Sequence, residues 1–400
     1  MFNSLSLKVI LFGFIFTFFS SFGQSFFLGL FNSSIRDALS ITHGQFGTIY
    51  ASATLLSSLL IIWVGKKIDD VDIFKFASFA TILLSFSCYF FSKITSIGFL
   101  FVAIFLMRFS GQALMSHTAT TTISRYFTKS RGKALSTGWF GLSSAEFVLP
   151  VFIIYLLTFM DWRNIWVNIS LIILLLPIVS YFLIKKIKLD SREIDNNNKI
   201  NIKIKNWKRV EVIKDYRFYI VCANMLAMPW IATGIFVYQS FILSSKNWGP
   251  YVIAQSFMVY SILSVITLFI AGYLIDKFSS RKLLIYMNLP FLVSLIIITI
   301  FNDPIISFLF LGLIGISNGL ANVLGSSTWA EVYGVKHIGS IKALTTALMV
   351  FSTAFGTAVF GLLIDRGFSI EEISIISGTY VFLALVALVF VRNRLNPTKI

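Results

Sequence analysis

Twelve stretches of this chain are apolar over lengths that suit a bilayer-crossing helix. They are 9–31, 46–64, 73–92, 97–123, 134–158, 164–184, 218–244, 251–275, 283–301, 304–330, 338–364 and 373–391. A spanning helix uses about 20 such residues, so twelve take up roughly 240. No soluble core has room for so much apolar chain. Only 12% of the residues are charged, against about 25% in a soluble domain. A soluble enzyme, a disordered chain and a disulfide scaffold are excluded. The runs are continuous rather than alternating, which argues against a β-barrel. The fold class expected is an all-α membrane protein with 12 transmembrane helices in two pseudo-symmetric six-helix bundles. The first stretch follows Lys8 and resembles a signal-peptide core, but it is too long and lacks a small-residue cleavage site. It reads as an uncleaved helix.

The net charge of +16 raises the question of a nucleic-acid partner, and the placement of the basic residues answers it. With the N-terminus in the cytoplasm, 27 of the 33 Lys and Arg fall in cytoplasmic segments and five (Arg36, Lys93, Arg163, Lys246, Arg366) in outer loops. Such a bias orients helices in membranes. It predicts a multi-pass protein of the inner (plasma) membrane with both termini cytoplasmic, and no nucleic-acid partner. One arginine, Arg108, is left inside a span. Cys88 and Cys222 both lie in apolar runs and the three histidines are scattered, so neither a disulfide nor a metal site nor any other cofactor is expected.

The longest polar stretch, Asp190 to Asp215, separates six spans from six. It divides the chain into an N-terminal bundle (1–184), a cytoplasmic linker (185–217) and a C-terminal bundle (218–400). The halves correspond at one offset. Gly65 and Asp69, Tyr126, Lys129 and Gly132 recur 207 residues later as Gly272, Asp276, Tyr333, Lys336 and Gly339, all in equivalent loops. Two parallel six-span repeats with a substrate site near the bilayer midplane are the layout of one large transporter class.

The loops Gly65-Lys-Lys-Ile-Asp69-Asp70 and Gly272-Tyr-Leu-Ile-Asp276-Lys277-Phe-Ser-Ser-Arg281-Lys282 resemble the signature loop of the major facilitator superfamily. The first copy departs from that pattern, with Asp70 for a basic residue and Asp72 for the second glycine. The second has Ser279 where glycine is usual. Arg108-Phe-Ser-Gly111-Gln112 resembles the superfamily's intramembrane arginine motif. Arg131-Gly132-Lys133-Ala134, Trp329-Ala-Glu331-Val-Tyr333-Gly334 and His337-Ile-Gly339-Ser-Ile-Lys342 are similar to monocarboxylate and oxalate/formate-type carriers. The resemblance implies the superfamily fold and a secondary transporter working by alternating access.

Gly65, Asp69, Gly272, Asp276 and Arg281 then form a candidate conformational latch. A carboxylate at a helix end can accept hydrogen bonds from the next helix N-terminus or pair with an arginine, and the glycines permit close helix approach. The plainer alternative is a helix-terminal charge that only anchors the loop. Arg125, Arg131 and Glu331 are either gate partners or solvated loop charges.

Inside the spans, Arg108 lies about 16 Å along the fourth and Glu146 about 18 Å along the fifth, both near the midplane. An ionised group there costs about 2.5–3.5 kcal/mol, so it faces water or a partner. The short connection between these spans makes an Arg108–Glu146 contact plausible. Arg108 is then the counter-charge for an anionic substrate, or a modulator of a proton-exchanging Glu146, or half of a fixed salt bridge. Gln112 lies one turn beyond Arg108 on the same face. His117 lies about 180° round the helix and reads as a packed or interfacial residue. Gln24, Tyr238, Gln239, Asn318 and Asn322 are polar at depths that disfavour lipid exposure; each either lines a cavity or bonds a neighbouring helix. Gly138 and Gly141 serve helix packing.

The function expected is a secondary active transporter of a small solute, with an organic anion such as a monocarboxylate as the leading substrate class and protons as the candidate coupling ion. An alternative is a proton-coupled exporter of a drug or other amphipathic compound. The glycine and proline pattern of drug–proton antiporters is missing from the fifth span. A non-transporting sensor or an intramembrane enzyme on the same scaffold is the alternative of another class, and no nucleophile–base or metal-ligand cluster supports the enzyme. No Walker A sequence occurs. Partners are the bilayer and the substrate, and a monomer is expected.

Overall fold

The computed structural model describes residues 4–127, 131–185, 205–334 and 337–396, and among them it is helical throughout, with no strand. Lys129 and Lys336 lie outside the described residues, and so do the side chains of Asp69, Arg131, Gly132, Asp276 and Gly339. Twelve helices are long and apolar enough to cross a membrane. We label them α1 (Ser4–Gly29), α2 (His43–Lys66), α3 (Ile73–Ser92), α4 (Ile97–Tyr126), α5 (Ala134–Leu157), α6 (Trp162–Ile184), α7 (Tyr216–Val237), α8 (Tyr251–Ile275), α9 (Ser280–Ile300), α10 (Ile306–Tyr333), α11 (Leu344–Asp365) and α12 (Ile370–Arg394).

Their starts are set by local chemistry. A helix N-terminus leaves backbone N–H groups without partners, and a short polar side chain just before it can accept from one of them. Thr42 accepts from the Gln45 N–H while the Gln45 side chain returns the bond, and Ser369 and Glu372 do the same for α12. Asp72, Ser96, Asp161 and Asp215 cap α3, α4, α6 and α7.

Several of the twelve depart from the simple rods that hydropathy predicts, and two of these departures place polar residues at a break. α1 narrows into a 3-10 turn at Ser21–Gly23, becomes extended at Gln24 (φ −85°, ψ 154°) and resumes as a helix at Ser25–Gly29. The seventh stretch, expected to run to residue 244, stops at Val237; a separate helix, Gln239–Lys246, follows the break at Tyr238. Apolar content is blind to such breaks, because it reports composition along the chain and not backbone angles.

The chain forms two compact units that divide at residues 196 and 197. In the N-terminal unit α1 packs along α5, α3 along α6, and α2 along α4. In the C-terminal unit α7 packs along α11, α9 along α12, and α8 along α10. The pairing is the same under the repeat, and so is one close approach. A Cβ on Gly141 of α5 would run into the Phe14 carbonyl of α1, and one on Gly356 of α11 into the Trp230 carbonyl of α7. Only glycine lets backbones meet this closely, which is a common device in membrane helix pairs. Thr17 Oγ1 reinforces the first contact by donating to the Gly138 carbonyl at 2.6 Å.

Residues 205–217, read from the sequence as linker, pack within the C-terminal unit. Trp207 donates its backbone N–H to the Tyr333 carbonyl at 3.0 Å, with the two rings 5.5 Å apart. Tyr333 Oη donates to Asp215 Oδ2 at 3.1 Å, and Asp215 pairs with Arg217 at 2.8 Å. A polar sequence can be fixed in place when one aromatic side chain and one buried carboxylate find partners on a neighbouring helix.

Candidate functional site

The N-terminal unit concentrates its irregular backbone in one place. Where α1 breaks, carbonyls near Gly23 lose their helical partners, and in a hydrocarbon setting each must be satisfied by other protein groups. Opposite the break, α4 widens into a π-helical segment over Arg108–Met115. Such segments displace side chains from the regular register and occur frequently at functional sites. The two irregularities touch: a Cβ on Gly111 would lie 2.7 Å from the Gly23 nitrogen and 2.8 Å from its Cα.

Arg108 fills the junction. Its Nη1 donates to the Gly23 carbonyl at 2.9 Å and to Ser25 Oγ at 3.3 Å. Tyr50 Oη of α2 donates to the same Ser25 Oγ at 3.1 Å, and the guanidinium lies 5.3 Å from the centre of the Tyr50 ring, within range of a cation–π attraction. The side chain is 1% exposed, and its Nε has no hydrogen-bond partner among the described residues. Among the described residues it makes no ion pair. The site is therefore a buried positive charge with donor capacity to spare.

Glu146 is not that partner. It is buried on α5 and makes no hydrogen bond or ion pair among the described residues. The Arg108–Glu146 contact expected from the short α4–α5 connection is not formed, and the reason is geometric. The two helices meet near that connection, through the last turns of α4. At the depth of Arg108, α1 lies against both of them. Gln112 and Gln24 are half-buried beside the junction, with the Gln112 backbone nitrogen against Gly23.

Two further polar residues of the N-terminal unit tie α4 to the end of α2. His117 Nε2 lies 3.0 Å from the Gly65 carbonyl. Arg125 Nη1 donates to the Ile68 carbonyl at 3.0 Å. Both bonds hold the loop that carries Asp69.

In the C-terminal unit the equivalent loop is held by a carboxylate. Glu331 Oε2 of α10 accepts from the Ser280 N–H at 2.9 Å and from Ser280 Oγ at 2.6 Å, and Oε1 pairs with Arg281 Nε at 3.0 Å. It is a cap for α9 rather than a solvated charge. Ser279, which stands where the superfamily has glycine, adopts φ 74°, ψ 147°, a region nearly reserved for glycine. The close-approach argument holds for Gly65, whose Cβ position is 3.4 Å from His117, and not for Gly272, whose Cβ would meet nothing within 4 Å among the described residues.

Tyr238 and Gln239 occupy the break after α7. Tyr238 Oη donates to the Thr357 carbonyl of α11 at 3.0 Å, and Gln239 Nε2 to the Phe236 carbonyl at 3.1 Å. Asn318 Nδ2 donates to Ser264 Oγ of α8 at 3.0 Å. These three act as internal ties. Asn322 is exposed and makes no hydrogen bond among the described residues. The groups that sequence reasoning missed are Gly23, Ser25 and Tyr50. The available signal was a Gly-Gln-Ser triplet interrupting a phenylalanine-rich span.

The family model described as Major Facilitator Superfamily matches residues 13–249 and again 219–400. The fold is similar to that of a bacterial homologue of the human lysosomal transporter Spinster in an inward-facing, unoccupied conformation (TM-score 0.72, 12% identity, covering 99% of this chain and 98% of that one). It is also similar to the nucleoside transporter NupG (TM-score 0.71, 13% identity, 98% and 99% covered). No curated protein matches the sequence.

Proposed function

Given that the chain belongs to the Major Facilitator Superfamily, we propose that the small solute it carries is an organic anion such as a monocarboxylate, moved by alternating access and coupled to protons. Transport of a small solute across a membrane, rather than enzymatic turnover, follows from the family itself. The anion reading rests on one observation: among the described residues Arg108 is a buried guanidinium with no carboxylate partner and an unused Nε donor. Its planar fork suits a carboxylate better than a lysine ammonium does. Glu146, a buried carboxyl without a partner among the described residues, is the proposed proton carrier.

The decisive experiment is uptake of a labelled panel of monocarboxylates, dicarboxylates and nucleosides by proteoliposomes, with and without a pH gradient. Arg108→Ala is expected to abolish carboxylate uptake, and Arg108→Lys to raise KM at least about tenfold, as expected for loss of a bidentate charged contact. Unchanged carboxylate uptake in both variants overturns the anion assignment. Glu146→Gln is expected to remove the response to the pH gradient while leaving exchange; an intact response would rule Glu146 out.

An uncharged polar solute is the second reading, because Arg108 already spends two donor contacts on Gly23 and Ser25. Nucleoside uptake without carboxylate uptake would decide for it. We further propose cytoplasmic termini, from the lysine and arginine bias, a plasma (inner) membrane location and action as a monomer. We propose the latch role for Gly65, Asp69, Gly272, Asp276 and Arg281, and the gate role for Arg125, Arg131 and Glu331.

A further inference from the structure

Two basic side chains of the C-terminal unit share a cavity with an exposed aromatic wall, and among the described residues neither has an acidic partner. The cavity measures about 650 Å³, inside the range of about 300–1,000 Å³ typical of small-ligand sites. Three cations line it: Arg281, Lys282 and Arg392. Arg281 is committed, through Nε to Glu331 and through Nη1 to Asn396 Oδ1 at 2.6 Å. Lys282 and Arg392 are exposed and make no ion pair or hydrogen bond among the described residues.

Where these groups sit along the helices identifies the ligand. Lys282 is in the first turn of α9 and Arg392 in the last turn of α12, so both stand at the same boundary of the apolar region. Leu274 and Tyr286 lie one turn further in, on α8 and α9, and Phe278 closes the helix that continues α8. Phe278 is 46% and Tyr286 58% exposed. Cationic at the boundary and apolar below it, the cavity has the polarity profile of a phospholipid. A soluble phosphate would satisfy the cations and leave the rings uncovered. Basic pockets between transmembrane helices are suited to anionic headgroups.

We propose that this cavity binds an anionic phospholipid of the adjoining leaflet, with its phosphate between Lys282 and Arg392 and an acyl chain along Leu274, Phe278 and Tyr286. The site is independent of the transported solute. Native mass spectrometry of the purified full chain tests it, with phosphatidylglycerol and phosphatidylcholine of identical acyl chains offered together. Wild type is expected to retain phosphatidylglycerol preferentially. The Lys282→Gln/Arg392→Gln double variant is expected to lose that preference by about thirtyfold, from two headgroup charges at the surface. The charge-keeping Lys282→Arg/Arg392→Lys variant is expected to retain it, which separates loss of charge from loss of fold. Equal retention of the two lipids by wild type overturns the proposal. So does a preference that survives the double substitution. Displacement of phosphatidylglycerol by millimolar inorganic phosphate would assign the site to a soluble anion instead.

Discussion

The guanidinium of Arg108 and the carbonyl of Gly23, 2.9 Å apart, join the break in α1 to the widened turn of α4. An arginine in mid-span is costly alone, and so is an unsatisfied carbonyl in hydrocarbon. Each supplies what the other lacks. The same bond leaves part of the guanidinium uncommitted, so one residue can hold the scaffold and still present charge.

Loss of that bond is expected to weaken the fold as well as transport. Arg108→Ala strands the Gly23 carbonyl, and hydrogen bonds to charged groups contribute about 1.5–3 kcal/mol. Arg108→Lys keeps one donor and should recover part of the loss. Thermal unfolding of the purified protein in detergent measures both; an Arg108→Ala variant that melts with wild type would show that the cap is dispensable.

Gly111→Ala is expected to be among the most damaging single-methyl additions in the N-terminal unit. The added carbon would meet backbone atoms of Gly23 at 2.7 and 2.8 Å, and backbone cannot swing aside as a side-chain tip can. A cost near the upper end of the 1–3 kcal/mol typical of overpacking, about 3 kcal/mol, is expected. Gly98→Ala is the control, since its Cβ meets nothing within 4 Å among the described residues. Yield and monodispersity on size-exclusion chromatography should separate the two variants clearly.

Ser279→Gly should stabilise the C-terminal unit by about 1–2 kcal/mol, because a serine held at φ 74°, ψ 147° carries strain that glycine does not. Ser279→Ala should give no such gain. A melting temperature unchanged by the glycine would mean that the turn relaxes at no cost.

Glu211 gives a pH signature outside the membrane. The Lys208 backbone N–H and the Lys205 ammonium hold its carboxyl below the ordinary carboxylate range. A depressed folded value means that its contribution is present above the unfolded value, near 4.3, and is lost as pH falls through the folded one. The short helix Arg209–Ile213 is expected to loosen on acidification through that window. Trp207 fluorescence, taken as wild type minus Trp207→Phe, should report it. Glu211→Gln should remove the acid transition, and a transition that persists would assign it elsewhere.

How far the sequence can be read differs from one residue to another. The boundaries of α3 and the position of Arg108 in mid-span follow from composition along the chain, since apolar length and an isolated charge are local properties. The doubled loop at Gly65 and Gly272 was visible for the same reason, and it singled out Ser279 before its backbone angles explained the position. Tyr238 read as a mid-span polar residue, yet it sits at the break that ends α7. Nothing in hydropathy distinguishes a break between two buried segments from a continuous helix.

The partner of Arg108 was legible only as a category. A short connection brings the ends of α4 and α5 together, but what lies between them at mid-depth depends on where α1 packs, and that contact is remote in sequence. The amino-acid sequence by itself determined the twelve spans, the repeat and the residues too polar for lipid, because these follow from the cost of placing groups in a bilayer. The tertiary structure alone decided that Arg108 meets Gly23, Ser25 and Tyr50 and that Glu146 stands apart. Side-chain pairing is set by helix packing, and glycine backbones meeting at Gly23 and Gly111 determine that packing without any hydrophobic signal.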